Sequence, residues 1–200
     1  PRASGVVPPN CAAVAEITAS GPIAAVAVDE IDDRAAVAAY TALPATAAAD
    51  RVALVTVRWV HTPLKLTTAT AVQNVGAGPA SVEFRVRDQN GVSIRSCGSA
   101  CTVTIPAGGG HVFQPSSAHQ TMMPANSYGS AEIVSDQPVV AVVLDASETG
   151  GHDAAIFAGI ALPADAPFET RLAPFVMYRS NVSWRPWVAQ RFFPWASAGR

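Results

Sequence analysis

Charged residues are scarce in this chain of 200 residues. They make up 14% of the sequence, Lys65 is the single lysine, and the formal net charge is −2. A nearly neutral chain without a basic block is a poor partner for the phosphate backbone of nucleic acids. The composition therefore argues against a nucleic-acid partner.

Long hydrophobic runs are also missing. The longest, Pro138 to Leu144, ends at Asp145, well short of the roughly 18–20 residues that cross a bilayer. The sequence therefore predicts no membrane span. The apolar half of the chain consists mostly of small residues, with 39 alanines and 25 valines. That aliphatic content, with little net charge, excludes intrinsic disorder.

Catalytic and metal-binding patterns are lacking as well. The four histidines form no H-x-E or H-E-x-x-H motif, and Ser116 and Ser117 lack a G-x-S-x-G elbow. The glycines at 108–110 are not followed by the Lys-Ser/Thr of a phosphate loop. We predict that the protein is not an enzyme and has no catalytic residues, cofactor or metal site.

Only three cysteines are present. Cys97 and Cys101 flank three residues, and a hairpin at this point would bring their Cα atoms to about 5.5 Å, which suits a disulfide. A lone C-x3-C pair is a weak zinc signal, so we favour a disulfide over a metal site or free thiols. Cys11 is left over, either as a small buried residue or in an intermolecular bridge.

An internal repeat organises the chain. Ala15-Glu16-Ile17 recurs 116 residues later as Ala131-Glu132-Ile133. The ordered matches continue with Pro22 and Pro138, Ala25 and Ala141, Val26 and Val142, and Asp29 and Asp145. Ala42-Leu43-Pro44 then matches Ala161-Leu162-Pro163 after 119 residues, and Arg51 falls near Arg171. An ordered series that includes prolines and an aspartate indicates a true repeat.

The repeat predicts three parts of the chain. Residues 51–168 form one complete unit, residues 1–50 are the back portion of a preceding unit, and residues 169–200 are the front portion of a following unit. A period of 116–120 residues matches the size of one β-sandwich domain. Residues 34–50 have high helix propensity and are the exception to a sequence that otherwise indicates strands.

Short strands separated by turn residues fill each unit. In residues 81–88, Val82, Phe84 and Val86 alternate with charged residues, which indicates a half-buried strand. Asn90-Gly91 supplies hairpin-turn chemistry, and Tyr128 to Ser135 and Pro138 to Leu144 are two further predicted strands. About eight such strands at a spacing of 8–12 residues predict an all-β fold of tandem Ig-like β-sandwich repeats.

Asp29 and Asp145 share one repeat position at the end of an apolar strand. Carboxylates placed between units suit calcium. Aspartate is also common where strands end in solvated loops, and we interpret both residues in that way.

The order of five motifs resembles tandem β-sandwich (Ig-like) repeats of large secreted bacterial surface or filament proteins. The motifs are Val72-Gln73-Asn74-Val75-Gly76, Asp88-Gln89-Asn90-Gly91, Pro106-Ala107-Gly108, Tyr128-Gly129-Ser130-Ala131 and Gln137-Pro138-Val139. This resemblance implies an extracellular or cell-surface location and a role in a stalk, sheath, adhesin or filament without catalysis.

Aromatic residues crowd the C-terminal part of the chain. Aromatic crowding marks protein interfaces and glycan platforms, and we favour an interface. Its predicted residues are Tyr178, Trp184, Trp187, Phe192, Phe193 and Trp195.

These features predict a structural protein that assembles head to tail into a filament, sheath or stalk. Its partners are copies of itself or adjacent repeats of a longer chain, and β-strand complementation between subunits is a fitting mechanism. The alternative is a carbohydrate-binding or adhesin module that takes a glycan on Trp184, Trp187 and Trp195.

Overall fold

The computed structural model describes residues 15–31, 36–62, 65–94, 101–114, 123–147, 154–162, 176–180 and 183–187. These residues form thirteen β-strands and one short 3₁₀ turn, Ala45–Ala47. The described part of the chain contains no α-helix, so the protein is all-β, as the sequence predicts.

Nine strands form one antiparallel sheet around a long central strand, β9, Ser127–Ser147. The other members are β3 (Ala49–Trp59), β4 (Leu66–Asn74), β5 (Ala80–Asp88), β6 (Ser93–Ile94), β7 (Thr102–Ile105), β8 (Gly110–Phe113), β10 (Ala154–Ala158) and β11 (Ile160–Ala161). The first half of β9 pairs with β3 and β5, and its second half pairs with β4 and β10.

The two halves of this sheet contribute to one hydrophobic core. Val52, Phe84 and Ile133 come from the first half, and Val72 and Val143 from the second. All five side chains are at most 2% exposed. The link between the halves is a stacked aromatic pair: the rings of Phe84 on β5 and Phe113 on β8 lie 4.9 Å apart. The alternation that predicts a half-buried β5 is confirmed, since Val82, Phe84 and Val86 face this core.

β9 differs from the sequence prediction of two strands, at Tyr128 to Ser135 and Pro138 to Leu144. It is a single strand that passes from one half of the sheet to the other near Pro138. The sequence-based reading of a break there is natural, because proline cannot donate to a ladder. Pro138 is tolerated because it falls between the last residue that pairs with β5, Ser135, and the first that pairs with β4, Val139, so its missing amide donor interrupts neither ladder.

Two further hairpins form separate two-stranded sheets. β1 (Val26–Ile31) pairs with β2 (Ala36–Thr41), and β12 (Val176–Ser180) pairs with β13 (Ser183–Trp187). β2 also lies beside β10. Residues 36–41 are thus a strand despite their helix propensity, because cross-strand pairing overrides a weak local preference.

Gly129 lies at a close approach between β9 and β5. A Cβ atom at this position would lie 1.9 Å from the Arg87 carbonyl oxygen. We expect Gly129→Ala to destabilise the fold by about 2 kcal/mol or more, because two paired strands would have to separate. Urea unfolding of the purified variant measures this loss.

Gly78→Ala is the matched control. An added Cβ at Gly78 meets nothing within 4 Å, so we expect a change of at most about 0.5 kcal/mol. Equal effects of the two substitutions would show that the close approach at Gly129 does not constrain the sheet.

Candidate functional site

The structure describes some of the sequence-predicted site residues, and others lie outside the described ranges. Cys101 is disulfide-bonded, while Cys97 and Cys11 lie outside the described residues, so the pairing of Cys97 with Cys101 stays a prediction. Of the aromatic cluster, the backbones of Tyr178, Trp184 and Trp187 lie in β12 and β13. The side chains of these three, and all of Phe192, Phe193 and Trp195, lie outside the description.

A buried ion pair joins β3 to the end of β9. Arg58 Nη1 donates to Asp145 Oδ2, and the side chains are 19% and 4% exposed. Thr68 on β4 completes the group: its hydroxyl donates to Asp145 Oδ1 at 3.2 Å and accepts from the Arg58 amide at 2.8 Å. The expectation that Asp145 is a solvated strand end is therefore wrong, because it lies within β9 with a cation against it.

Opposing influences act on the pKa of Asp145. Burial raises it above the ordinary aspartate value, while Arg58, Thr68 and His61 each lower it. The pKa of His61 is lowered, first by its own burial and then by Arg58, although Asp145 opposes this. His61 also sits edge-on to Tyr128, with ring centroids 5.1 Å apart. The group is a partly compensated buried charge cluster, whose polar atoms are engaged with one another.

A second ion pair lies on the other face of the first half-sheet. Arg51 Nε donates to Glu132 Oε1 at 2.7 Å, and Arg51 Nη2 reaches the same oxygen. Glu132 is 4% exposed and stands opposite Ala53 on β3 and Arg85 on β5. This pair bridges β3 and β9, the two strands with the most extensive contact in the sheet.

The side chain of Asn74, at the end of β4, forms hydrogen bonds to several backbone groups of the neighbouring loops. Its side chain is fully buried. The amide nitrogen donates to the carbonyl oxygens of Gly78, Ile105 and Pro106 at 2.7, 3.0 and 3.2 Å. Oδ1 accepts from the Gly76 amide at 2.9 Å. Asn74 thus ties two loops to the same strand end.

Three of the five sequence motifs form turns or loop contacts in the structure. Asn74 joins the motif at 72–76 to the loop at 106–108. Asp88 Oδ1 accepts from the amides of Asn90 and Val92, and Gly91 adopts φ +80 in that turn. These three motifs therefore have a structural role, since each forms a turn or a loop contact at the end of a strand.

An open groove runs between the turn after β5 and the start of β9. Its volume is about 700 Å³. Tyr128 is 45% exposed there, and the amide side chain of Asn126 accepts from Thr62 at 2.6 Å. The groove is lined by Asp88, Gln89, Asn90, Ile94, Met123, Pro124, Ala125, Asn126, Ser127 and Tyr128. Among these described lining residues there are one aromatic ring and several side-chain amides, and no cluster of charge.

Among the residues that the structure describes, no three His, Cys, Asp or Glu side chains come together in an arrangement that would hold a metal ion. No helix found there has the length and hydrophobicity to span a bilayer.

No protein-family model and no curated protein matches the chain. Solved structures do match. The Anabaena sensory rhodopsin transducer is 16% identical, covers 46% of this chain and 89% of its own, and has a TM-score of 0.36. Thermotoga maritima 1070 is 13% identical, covers 57% of this chain and 95% of its own, with a TM-score of 0.45. Both neighbours are β-rich, and likenesses this distant carry no conclusion about function.

Proposed function

We propose that the chain is a non-catalytic, extracellular structural protein, built from tandem Ig-like β-sandwich repeats that stack head to tail in a filament, sheath or stalk. The observation that carries this proposal is the agreement between the sequence repeat and the strands. Residues 26–31 align with 142–147, the end of β9, and form a strand. Residues 36–41 align with 155–160, which overlaps β10, and also form a strand.

The front portion follows the same correspondence. β12 aligns with residues 56–60 at the end of β3, since Arg171 falls near Arg51. β13 aligns with the start of β4 when Gln190 is placed on Gln73. The hairpin of β1 and β2 thus repeats the pairing of the end of β9 with β10, whereas β3 and β4, the counterparts of β12 and β13, flank β9 in the described sheet.

The use of buried polar groups supports a structural role. Arg58, Asp145 and Thr68 bond to one another, and Arg51 bonds to Glu132. The side-chain amide of Asn74 donates to the carbonyl oxygens of Gly78 and Ile105. Catalytic groups must instead be aimed at a site where substrate atoms sit. These residues are aimed at neighbouring strands, which fits a protein whose task is to hold shape.

Assembly of the full chain in solution tests the proposal. We expect end-to-end particles whose length grows with protein concentration, because head-to-tail contacts that do not close generate linear polymers. Sedimentation velocity over a wide concentration range, followed by negative-stain electron microscopy, gives this readout. One compact monomer at every concentration would contradict the proposal.

A glycan-binding module is the second candidate, favoured by the groove beside Tyr128. An exposed aromatic ring with Gln89 and Asn90 nearby suits the stacking and hydrogen bonding that a sugar requires. Glycan-array binding that is lost in Tyr128→Ala would support the groove. Loss in Trp184→Ala instead would place the site on the C-terminal aromatic cluster, and binding to no glycan would end this alternative.

A further inference from the structure

Asn90-Gly91 is the one Asn-Gly pair in the sequence, and it lies at the exposed turn after β5. Asparagine reacts spontaneously when the backbone nitrogen of the next residue attacks its side-chain carbonyl. A following glycine favours this attack, because glycine has no Cβ to obstruct the approach and its backbone reaches many conformations. The reaction in a folded protein then depends on access to both reacting groups.

The side chain of Asn90 is accessible. Within the described residues its amide group forms no hydrogen bond, and only its backbone amide is held, by Asp88 Oδ1 at 2.8 Å. A Cβ atom added at Gly91 would meet nothing within 4 Å, so the space around the attacking residue is open. The side-chain carbonyl of Asn90 can therefore turn towards the Gly91 nitrogen without breaking a contact.

The Gly91 nitrogen is held by a bond within the turn itself. Its N–H donates to the Asp88 carbonyl oxygen at 3.0 Å. Gly91 and Val92 are both exposed, and the strand that follows them, β6, has two residues. Hydrogen bonds in exposed turns open at little cost in free energy. Local opening of the turn thus releases the nitrogen while β5 stays folded.

The other two asparagines of the described ranges are held in place. Asn74 is fully buried, its side-chain nitrogen donates to three carbonyl oxygens, and the β-branched Val75 follows it. Asn126 is exposed, but its Oδ1 accepts from the backbone amide and the hydroxyl of Thr62 at 3.0 and 2.6 Å. Of these three residues, Asn90 alone combines an unbonded side-chain amide with a following glycine.

We propose that Asn90 is a site of spontaneous deamidation, which converts the exposed turn to an isoaspartyl linkage. The Gly91 nitrogen forms a bond to Asn90 Cγ, the Cγ–Nδ2 bond breaks, and Nδ2 leaves as ammonia with the proton of the Gly91 amide. Water then opens the resulting succinimide ring. Opening at Cγ gives aspartate, and opening at the main-chain carbonyl gives isoaspartate, in which the backbone runs through Cγ. Water is consumed, ammonia is released, and no oxidant or reductant takes part.

The product changes one side of the groove beside Tyr128. Asp88 and Asn90 both line that groove. Isoaspartate adds a carbon atom to the backbone of the turn, and a carboxylate replaces the neutral amide close to Asp88. The reaction therefore lengthens the turn between β5 and β6 and adds negative charge to the groove. This inference does not depend on the proposed structural role, because it concerns the turn alone.

Prolonged incubation of the full chain at pH 8, followed by peptide mapping with mass spectrometry, measures the reaction. We expect Asn90 to convert about tenfold or more faster than Asn74 or Asn126, because these two must first lose their hydrogen bonds. Isoaspartyl methyltransferase labels the expected linkage at residue 90. Conversion should slow at pH 5, since the attacking nitrogen must lose its proton.

Asn90→Gln is the matched control variant. It keeps a side-chain amide in the exposed turn, but attack by the Gly91 nitrogen would have to close a larger ring, which forms more slowly. We expect isoelectric focusing to show an acidic species that accumulates in the wild type and is absent from this variant. Wild-type Asn90 that stays intact as long as Asn74 would overturn the proposal. Aspartate without isoaspartate, or the same acidic species in Asn90→Gln, would overturn it as well.

Discussion

Arg58→Met is expected to destabilise the protein by about 3–5 kcal/mol at pH 7. The substitution leaves the Asp145 carboxylate buried without its cation, and an uncompensated buried charge is among the most costly single defects in a fold. Methionine retains much of the apolar stem of arginine, so loss of packing is a small part of the effect. Urea unfolding followed by circular dichroism gives the free energy of unfolding.

The loss should depend on pH in a defined direction. Burial already raises the pKa of Asp145, and Arg58 is the first influence that lowers it, so its removal raises the pKa further. A carboxyl whose folded pKa exceeds its unfolded value, about 3.9, binds its proton more tightly in the folded state. Its stabilising contribution is present below the unfolded pKa and is lost as pH rises through the folded pKa. We therefore expect a clearly smaller loss at pH 4 than at pH 7.

Two further variants isolate the charge. Arg85→Met removes the cation of the exposed pair with Glu83, whose side chains are 51% and 44% exposed, and should cost less than about 1 kcal/mol at either pH. Adding Asp145→Asn to Arg58→Met removes the buried charge and should recover much of the loss. If the Arg58→Met loss is the same at pH 4 and pH 7 and the second substitution rescues nothing, Arg58 acts through packing alone.

The local sequence pattern is sufficient to predict those parts of the fold that depend on residues close together along the chain. The alternation in β5 and the Asn90-Gly91 turn depend on residues within a few positions, and both appear in the structure as predicted. The all-β class follows from the same short-range signals. The Ig-like sandwich, the repeat boundaries and the extracellular role are larger claims and stay predictions.

The candidate sites depended on contacts that no local pattern contains. Asp145 was read as solvated because its neighbours along the chain suggest a strand end, whereas its partner Arg58 lies 87 residues away. Pro138 predicts a break between two strands, whereas in the structure it lies where β9 exchanges β5 for β4 as its partner. Asn74 was visible as part of a motif, yet its acceptor at Ile105 is 31 residues away. Only the register of distant strands reveals these pairings.

Asn74→Ala is expected to cost about 3–4 kcal/mol. It removes a fully buried side chain and leaves the carbonyl oxygens of Gly78, Ile105 and Pro106 without this donor. Each buried polar group left unsatisfied costs about 1–3 kcal/mol, more than an average hydrogen bond contributes. Urea unfolding measures the total, and Asn90→Ala, at an exposed position of the turn after β5, should change it by less than about 1 kcal/mol.

Asn74→Asp separates the donated bonds from the accepted one. Aspartate has nearly the same shape and can still accept from the Gly76 amide, but an ionised carboxylate turns an acceptor towards three carbonyl oxygens. We expect a loss at pH 7 at least as large as for alanine, and partial recovery at pH 4, where the protonated acid regains one donor. Hydrogen exchange should show the Gly76 amide protected in Asn74→Asp and exposed in Asn74→Ala. A fully stable Asn74→Asp variant at pH 7 would mean that the three donated bonds do not hold the loops, and that burial of the side chain alone stabilises this end of the sheet.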